Sequence, residues 1–461
     1  MLKRFMVIAL ALAMTAAACG DDAGDSTGDA GTTTSAPDET TTTTDAPEDG
    51  DSTTTTDAPV ELAASWKGVT ADTINIAVSI LDFSDLIELG LQDFGWGDQR
   101  LMWEFYVDEI NANGGVAGRQ LEMYIDFYNP GVAIDAEASC LRMTEDRDVF
   151  VVVGAFVGPA QTATPCLTRQ EDLVIIGGIM TIDLLEGSDA VWVNAGTADR
   201  RRIPTFFDLL GTEGYLDGRR VAIVSGNEDL ASTEDVIIPL LDERGVEVVL
   251  TAVNTVPTED VVAEDDFWRR TAERIKTEDV DVIIVNGDTT GAVRGIRPNG
   301  LEQEVWAIRV DQLTNIGGTA DRTDADGWLG VSLATPAEQW NEPNMQACVQ
   351  RFVDAHPDIV VDGPETVGEL DEKWYIELQV ICRRLAVLEM VFNAAGPELT
   401  PQTVQAAYES LGEVELPGYF FSSWGPGKPD ANDGFRLAQF DSTEGEGGAM
   451  VPITDILDTT P

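Results

Sequence analysis

The chain has 461 residues, with 82 Asp or Glu against 28 Lys or Arg, a formal net charge of −54. A surface of that sign repels nucleic acid and anionic lipid, so neither is an expected partner. The acidity fits either a salty habitat or plain solubility, and composition does not separate the two.

Lys3 and Arg4 precede an apolar run over residues 5–18, which is the layout of a secretory signal. Its 14 residues fall short of the roughly 20 that span a bilayer. The end of the run, Ala16, Ala17, Ala18, Cys19 and Gly20, resembles a bacterial lipobox, with Ala16 in place of the usual Leu. That resemblance implies acylation at Cys19 over residues 1–19 and a location outside the cytoplasm, attached to the membrane by lipid alone. The other reading is cleavage after Ala18, which leaves a free thiol. Residues 20–65 then read as a tether. Thr, Asp, Ala, Gly, Pro and Ser cannot bury enough surface to offset the entropy of ordering. The string TTTTDAP occurs twice, at 41–47 and 53–59.

About 400 residues remain, too many for one simple core, and two lobes are expected. Apolar, β-branched runs predict strands at 73–80, 121–125, 149–153, 173–176, 220–224, 247–250, 281–285 and 305–308. Helix-period stretches lie between them at 99–113, 134–147, 232–244 and 265–277. In the first helix Leu101, Phe105, Tyr106 and Ile110 share a face, and Gly114 and Gly115 stop it. Continuous apolar strands separated by helices predict α/β lobes built on parallel sheets covered on both faces, which is the doubly wound, Rossmann-like arrangement. Ligands of such folds sit beyond the carboxyl ends of the strands. With Cys19 set aside, four cysteines remain. Sequence proximity favours the disulfides Cys140–Cys166 and Cys348–Cys382, against the alternative of buried free thiols.

The stretch INANGGVAGRQL at 110–121 carries Asn111, Gly114, Gly115, Gly118 and Arg119. Together with Gly68, Val69 and Thr70 before the first strand, VFVVVG at 149–154, RVAIV at 220–224 and VDVIIV at 280–285, it resembles type I periplasmic binding proteins. The nearest branch is the branched-chain amino-acid (Leu/Ile/Val) binding proteins of ABC importers. The likeness runs over residues 66–441. The resemblance implies two lobes joined by three hinge crossovers. Lobe one would take 66–198 plus 335–427, and lobe two 199–334 plus 428–461. The glycine-rich stretch itself is a helix stop and turn, with no Walker pattern.

The resemblance also implies a site. The loop after the third strand holds a ligand carboxylate in the family, which points here to Phe156, Val157 and Gly158, although the family's hydroxyl is absent. The next strand's turn supplies Gly178 and Thr181. An acidic residue on the crossover meets the ligand's ammonium, and Asp199 fits, with a helix N-cap as its other reading. Asp82, Phe94 and Trp96 lie where the family places a side wall. Leu230 occupies a position usually held by an aromatic residue. Asp288, Thr289 and Asp311 follow later strand ends and are candidates to face the cleft. These departures leave the ligand open beyond an amino acid or a related amide or carboxylate.

An enzyme is the competing class. The sole histidine, His356, reads as a helix-end residue, and there is no nucleophile elbow or HExxH zinc motif. Paired carboxylates of a hydrolase are not singled out among so many acids. The helix pattern at 371–395 makes Trp374, Tyr375, Leu378, Ile381, Leu385 and Leu388 core. No cofactor or metal is expected. The expected protein is a monomeric solute-binding protein that hands a small ligand to ABC permease subunits. A sensing receptor of the same fold is the alternative.

Overall fold

The computed structural model describes residues 62–88, 94–256, 261–315, 320–368, 370–444 and 447–461. Cys19 and most of the expected tether lie outside the described residues, as does the whole of the first compact unit, Met1–Ala58; the second unit is Pro59–Pro461. Among the described residues no helix is long and apolar enough to cross a membrane.

The first sheet is wholly parallel. Its strands are β1 (Thr73–Leu81), β2 (Gln120–Tyr128), β3 (Val151–Val153), β4 (Val174–Ile176) and β5 (Val191–Val193), in the order β2-β1-β3-β4-β5. Ile76, Ala77 and Val78 of β1 pair with Val151, Val152 and Val153 of β3, and all six are fully buried. Burial on both faces explains why these strands are unbroken apolar runs rather than alternating ones. Each Val or Ile among them contributes about 1.5–3 kcal/mol when fully buried.

The second sheet begins with β6 (Arg220–Gly226), β7 (Glu247–Asn254), β8 (Val282–Asn286), β9 (Glu304–Ala307) and β10 (Leu329–Ser332), mutually parallel in the order β7-β6-β8-β9-β10. A small hairpin, β11 (Gly412–Glu413) with β12 (Ser423–Trp424), comes next in the chain. Then β13 (Gly434–Asp441), β14 (Ala449–Pro452) and β15 (Leu457–Asp458) extend the second sheet antiparallel to its edge. The chain thus builds one doubly wound sheet, then a second, returns to cover the first with helices Pro343–Ala355 and Trp374–Ala395, and finishes on the second. This is the two-lobed α/β architecture expected from the alternating pattern.

After a short helix at Ser84–Glu88, the helix Gln99–Ala112 buries Met102, Trp103, Tyr106, Val107 and Ile110. Leu101 and Phe105, expected on that face, are partly buried and pack against the same core. Gly115 is held by its surroundings: its φ is 75°, and a β-carbon there would lie 1.9 Å from the Arg119 carbonyl oxygen. Arg119 is fully buried and donates to the carbonyls of Thr70, Ala63 and Pro397 at 2.7, 2.9 and 2.8 Å. In the long helix Leu378, Ile381, Leu385 and Leu388 are buried, with Trp374 and Tyr375 half-buried. Both disulfides form as paired from the sequence. Cys140–Cys166 has its Cα atoms 6.3 Å apart and Cys348–Cys382 6.1 Å. His356 ends helix Pro343–Ala355, its Nδ1 3.0 Å from the Phe352 carbonyl and its ring stacked on Phe352.

Where the chain passes between sheets, Asn194 pairs with Asp430 as an isolated bridge, and Asn432 N–H donates to the Gly196 carbonyl at 3.0 Å. Asp430 and Asp433 are fully buried here. Arg201 pairs with both, at 2.8 Å to Asp430, and Lys428 meets Asp433 at 3.1 Å. Burial, with Arg201 close by, pushes the Lys428 pKa down, opposed by Asp433.

Candidate functional site

The carboxyl ends of the first sheet's strands are closed by glycines. Gly154 follows β3 and Gly177 and Gly178 follow β4, all with positive φ (111°, 89° and 90°). Side chains of the sheet fix the turns that follow. Trp192 Nε1 donates to the Gly177 carbonyl at 2.6 Å, and Asn194 Nδ2 to the Gly178 carbonyl at 2.8 Å. The Tyr128 hydroxyl donates to the Ala155 carbonyl at 3.3 Å and accepts from Val157 N–H at 3.1 Å. Burial pushes the Tyr128 phenol up to about 12. The loop after β3 opens a 3-10 turn, Gly158–Ala163, which leads into helix Thr164–Thr168.

Those placements bear on each expected residue. Val157 N–H, expected to face a carboxylate, is engaged by Tyr128. Phe156 is fully buried with its ring edge-on to Tyr128 at 4.9 Å, so it turns into the core and away from the cleft. Gly158 is exposed. Thr181 caps helix Ile182–Glu186, its hydroxyl accepting from Leu184 N–H at 3.3 Å. Asp82 is exposed and caps the turn at Ser84. Trp96 packs on Phe83 at 5.0 Å, and Phe94 lies under Lys373 Nζ at 4.8 Å. The loop carrying both aromatics is tied to the start of the long helix through Gly95 and Gly97.

Asp199 stands at the crossover. It is the first residue of helix Asp199–Thr212, whose N-cap is Ala198, so Asp199 is not itself the cap. Its N–H donates to the Met180 carbonyl at 3.0 Å, in the loop after β4. Its carboxylate accepts from Arg309 Nη2 at 2.7 Å, and the same guanidinium lies 2.9 Å from Asp229 Oδ1. Asp229 follows β6 and Arg309 follows β9. One buried residue therefore links the carboxyl-end loops of the first sheet to those of the second, and it already has a cation. Burial raises the Asp229 pKa, while Arg309 pulls against it.

Beyond the ends of β6, β7 and β8 lies a depression of about 210 Å³, lined by Gly226, Asn227, Glu228, Glu264, Trp268 and Asp288 among others. Asp288 was expected to face the cleft, and it lines this space. Glu264 is buried and paired with Arg294. Burial and the Asp288 carboxylate beside it raise its pKa. Thr289 is buried, with its hydroxyl 3.5 Å from the carbonyls of Gly287 and Arg309. Leu230 is half-buried just after Asp229. The side chain of Asp311 lies outside what is described.

Sequence reasoning missed Arg309, Asp229 and Glu264, the last with its partner Arg294. Asp229 stands beside Leu230 in a segment the sequence did single out. For the arginines no local signal exists, because an isolated basic residue after a strand or within a helix carries no pattern.

Solved structures with the same fold are numerous. A solute-binding protein of an ABC transporter from Rhodopseudomonas palustris HaA2, in complex with p-hydroxybenzoic acid, aligns with a TM-score of 0.57 at 16% identity, covering 85% of this chain and 98% of that one. A leucine-, isoleucine-, valine-, threonine- and alanine-binding protein from Brucella ovis in closed conformation gives 0.57 at 15%, covering 85% and 97%. A fatty acid ABC transporter substrate-binding protein from Thermomonospora curvata gives 0.56 at 14%, covering 87% and 97%. Among curated proteins no relative matches the sequence. The profile of the periplasmic binding protein family matches residues 100–446, well over half of the chain, and the chain belongs to that family.

Proposed function

We propose that this protein captures a small solute, an amino acid or a related amide or carboxylate, in a cleft between its lobes and delivers it to an ABC permease. It would do so outside the cytoplasm, held to the membrane by a lipid on Cys19. Lobe one is taken as 66–198 plus 335–427 and lobe two as 199–334 plus 428–461. The supporting observation is Asp199, which brings the loop after β4 against the loops after β6 and β9. Ligands of doubly wound sheets bind at such carboxyl ends. Closure of the lobes would exclude water and strengthen polar contacts. Gly178, Thr181 and Asp199 on the crossover side and Asp288 on lobe two are the retained ligand candidates. An ammonium group could reach Asp199 only by sharing it with Arg309.

The test is thermal unfolding of the full-length chain, stripped of carried solute, against amino acids, amides, short peptides, urea, aromatic acids and fatty acids. A true ligand at a hundredfold excess over its dissociation constant stabilises by about 2.7 kcal/mol. A panel with no stabilising member refutes solute capture.

A further inference from the structure

The long helix Trp374–Ala395 carries Arg384 among core leucines and sends its guanidinium to the glycine-closed ends of β3 and β4. The point where a β-carbon on Gly154 would lie is 3.0 Å from both Arg384 Nη1 and Ser79 Oγ. The matching point on Gly177 is 2.9 Å from Arg384 Nε. Side chains at either glycine would occupy the space the guanidinium fills, so its position depends on both.

What distinguishes Arg384 is its lack of a partner. Among the described residues none forms a hydrogen bond or an ion pair with it. Arg119, the other deeply set arginine of this lobe, has four carbonyls. The acid nearest in effect, Glu377, acts on Arg384 without a hydrogen bond and is engaged by Trp103 Nε1 at 2.6 Å. Beside it Ser79 is 6% exposed, and its buried hydroxyl also has no partner. An uncompensated cation out of bulk water is costly to keep. Arg384 retains a route to solvent, being only half-buried. A guanidinium offers two parallel N–H groups that match a carboxylate, and a neighbouring hydroxyl can add a third donor.

We infer that Arg384 and Ser79 form the seat for a carboxylate of the bound solute. The loop after β3, whose Val157 N–H is engaged by Tyr128, does not. This rests on the solute-capture reading above and narrows it to acids. On the second sheet's side the depression lined by Glu228, Glu264 and Asp288 is acidic and would repel a second negative charge, which narrows the class to monocarboxylates.

The experiment titrates the full-length chain by calorimetry with 4-hydroxybenzoate, octanoate and leucine, and with their primary amides. At least one acid should bind, with its amide about 100-fold weaker. Arg384→Gln should lose a similar factor for the acid while changing amide affinity less than threefold. Ser79→Ala, which removes one neutral donor, should lose about tenfold. Far-UV circular dichroism and amide binding show that each variant is folded. Equal affinity for acid and amide, or a folded Arg384→Gln that binds the acid within threefold of the parent, overturns the seat and leaves solute capture standing. Binding of neither acids nor amides overturns both.

Discussion

Replacing Arg309 with Met keeps the length of the stem and removes the charge. Asp199 and Asp229, with side chains 8% and 5% exposed, would then face each other without the guanidinium that lies 2.7 and 2.9 Å from them. Breaking a buried pair by deleting one partner costs about 3–5 kcal/mol, because the remaining charge is left unsolvated. Here two carboxylates are left, so the upper half of that range applies. The sign of the pH dependence follows from Asp229, whose carboxyl burial already holds above its ordinary value. A carboxyl with a raised folded pKa binds its proton more tightly in the folded state. Stability is therefore lost as pH rises from the unfolded value through the folded one. Removing Arg309 extends that interval upward. The variant should regain up to about 1.4 kcal/mol per pH unit as pH falls from neutral toward 5. Urea unfolding followed by tryptophan fluorescence at pH 7.5 and pH 5 measures both effects. A loss below about 1 kcal/mol, the size expected of an exposed ion pair, with no change between the two pH values would refute the reasoning.

Three other outcomes are expected. Cys348→Ser with Cys382→Ser opens a link spanning 34 residues and should cost about 3–4 kcal/mol in urea unfolding. The parent treated with reductant should match the double variant. Asp430→Asn weakens the acceptor of Ala198 N–H and Arg201 Nη1 where the chain passes between the sheets and should cost about 1.5–3 kcal/mol; an unchanged urea midpoint would contradict its role there. Cys19→Ser should move the protein from the membrane fraction to the medium, as read by fractionation and immunoblot. Retention in the membrane would argue against lipid anchoring.

The secondary structure was legible because it is written in local periodicity. Eight strands and the helices between them are long enough, or apolar enough, to be read within a window of a few residues. The exceptions are instructive. Val191–Val193 and Leu329–Ser332 have three and four residues and gave no signal; β3 and β4 are as short but lie in the unbroken apolar runs 149–153 and 173–176, whereas Asn194 and Gly330 interrupt these two. The last strands β13 to β15 pair antiparallel at the edge of a sheet begun more than 200 residues earlier, and nothing local marks that return. The glycine turn at Gly114, Gly115 and Gly118 was legible as a turn. That Gly115 must be glycine because of the Arg119 carbonyl was not.

By itself the sequence determined the alternation that builds two doubly wound sheets and the pairing of the two disulfides, while the exported layout and the region where a ligand would lie stand as its expectations. Only the tertiary structure decided which charges meet there. Asp199 and Arg309 are 110 residues apart, Arg201 and Asp430 229 apart, and Arg384 reaches Gly154 and Gly177 from the far end of the chain. Helical spacing correctly made Leu378, Ile381, Leu385 and Leu388 core, but it could not say that the arginine among them ends beside two open glycines. The physical reason is range: burial patterns repeat every two or 3.6 residues, whereas an ion pair depends on where folding brings two distant side chains.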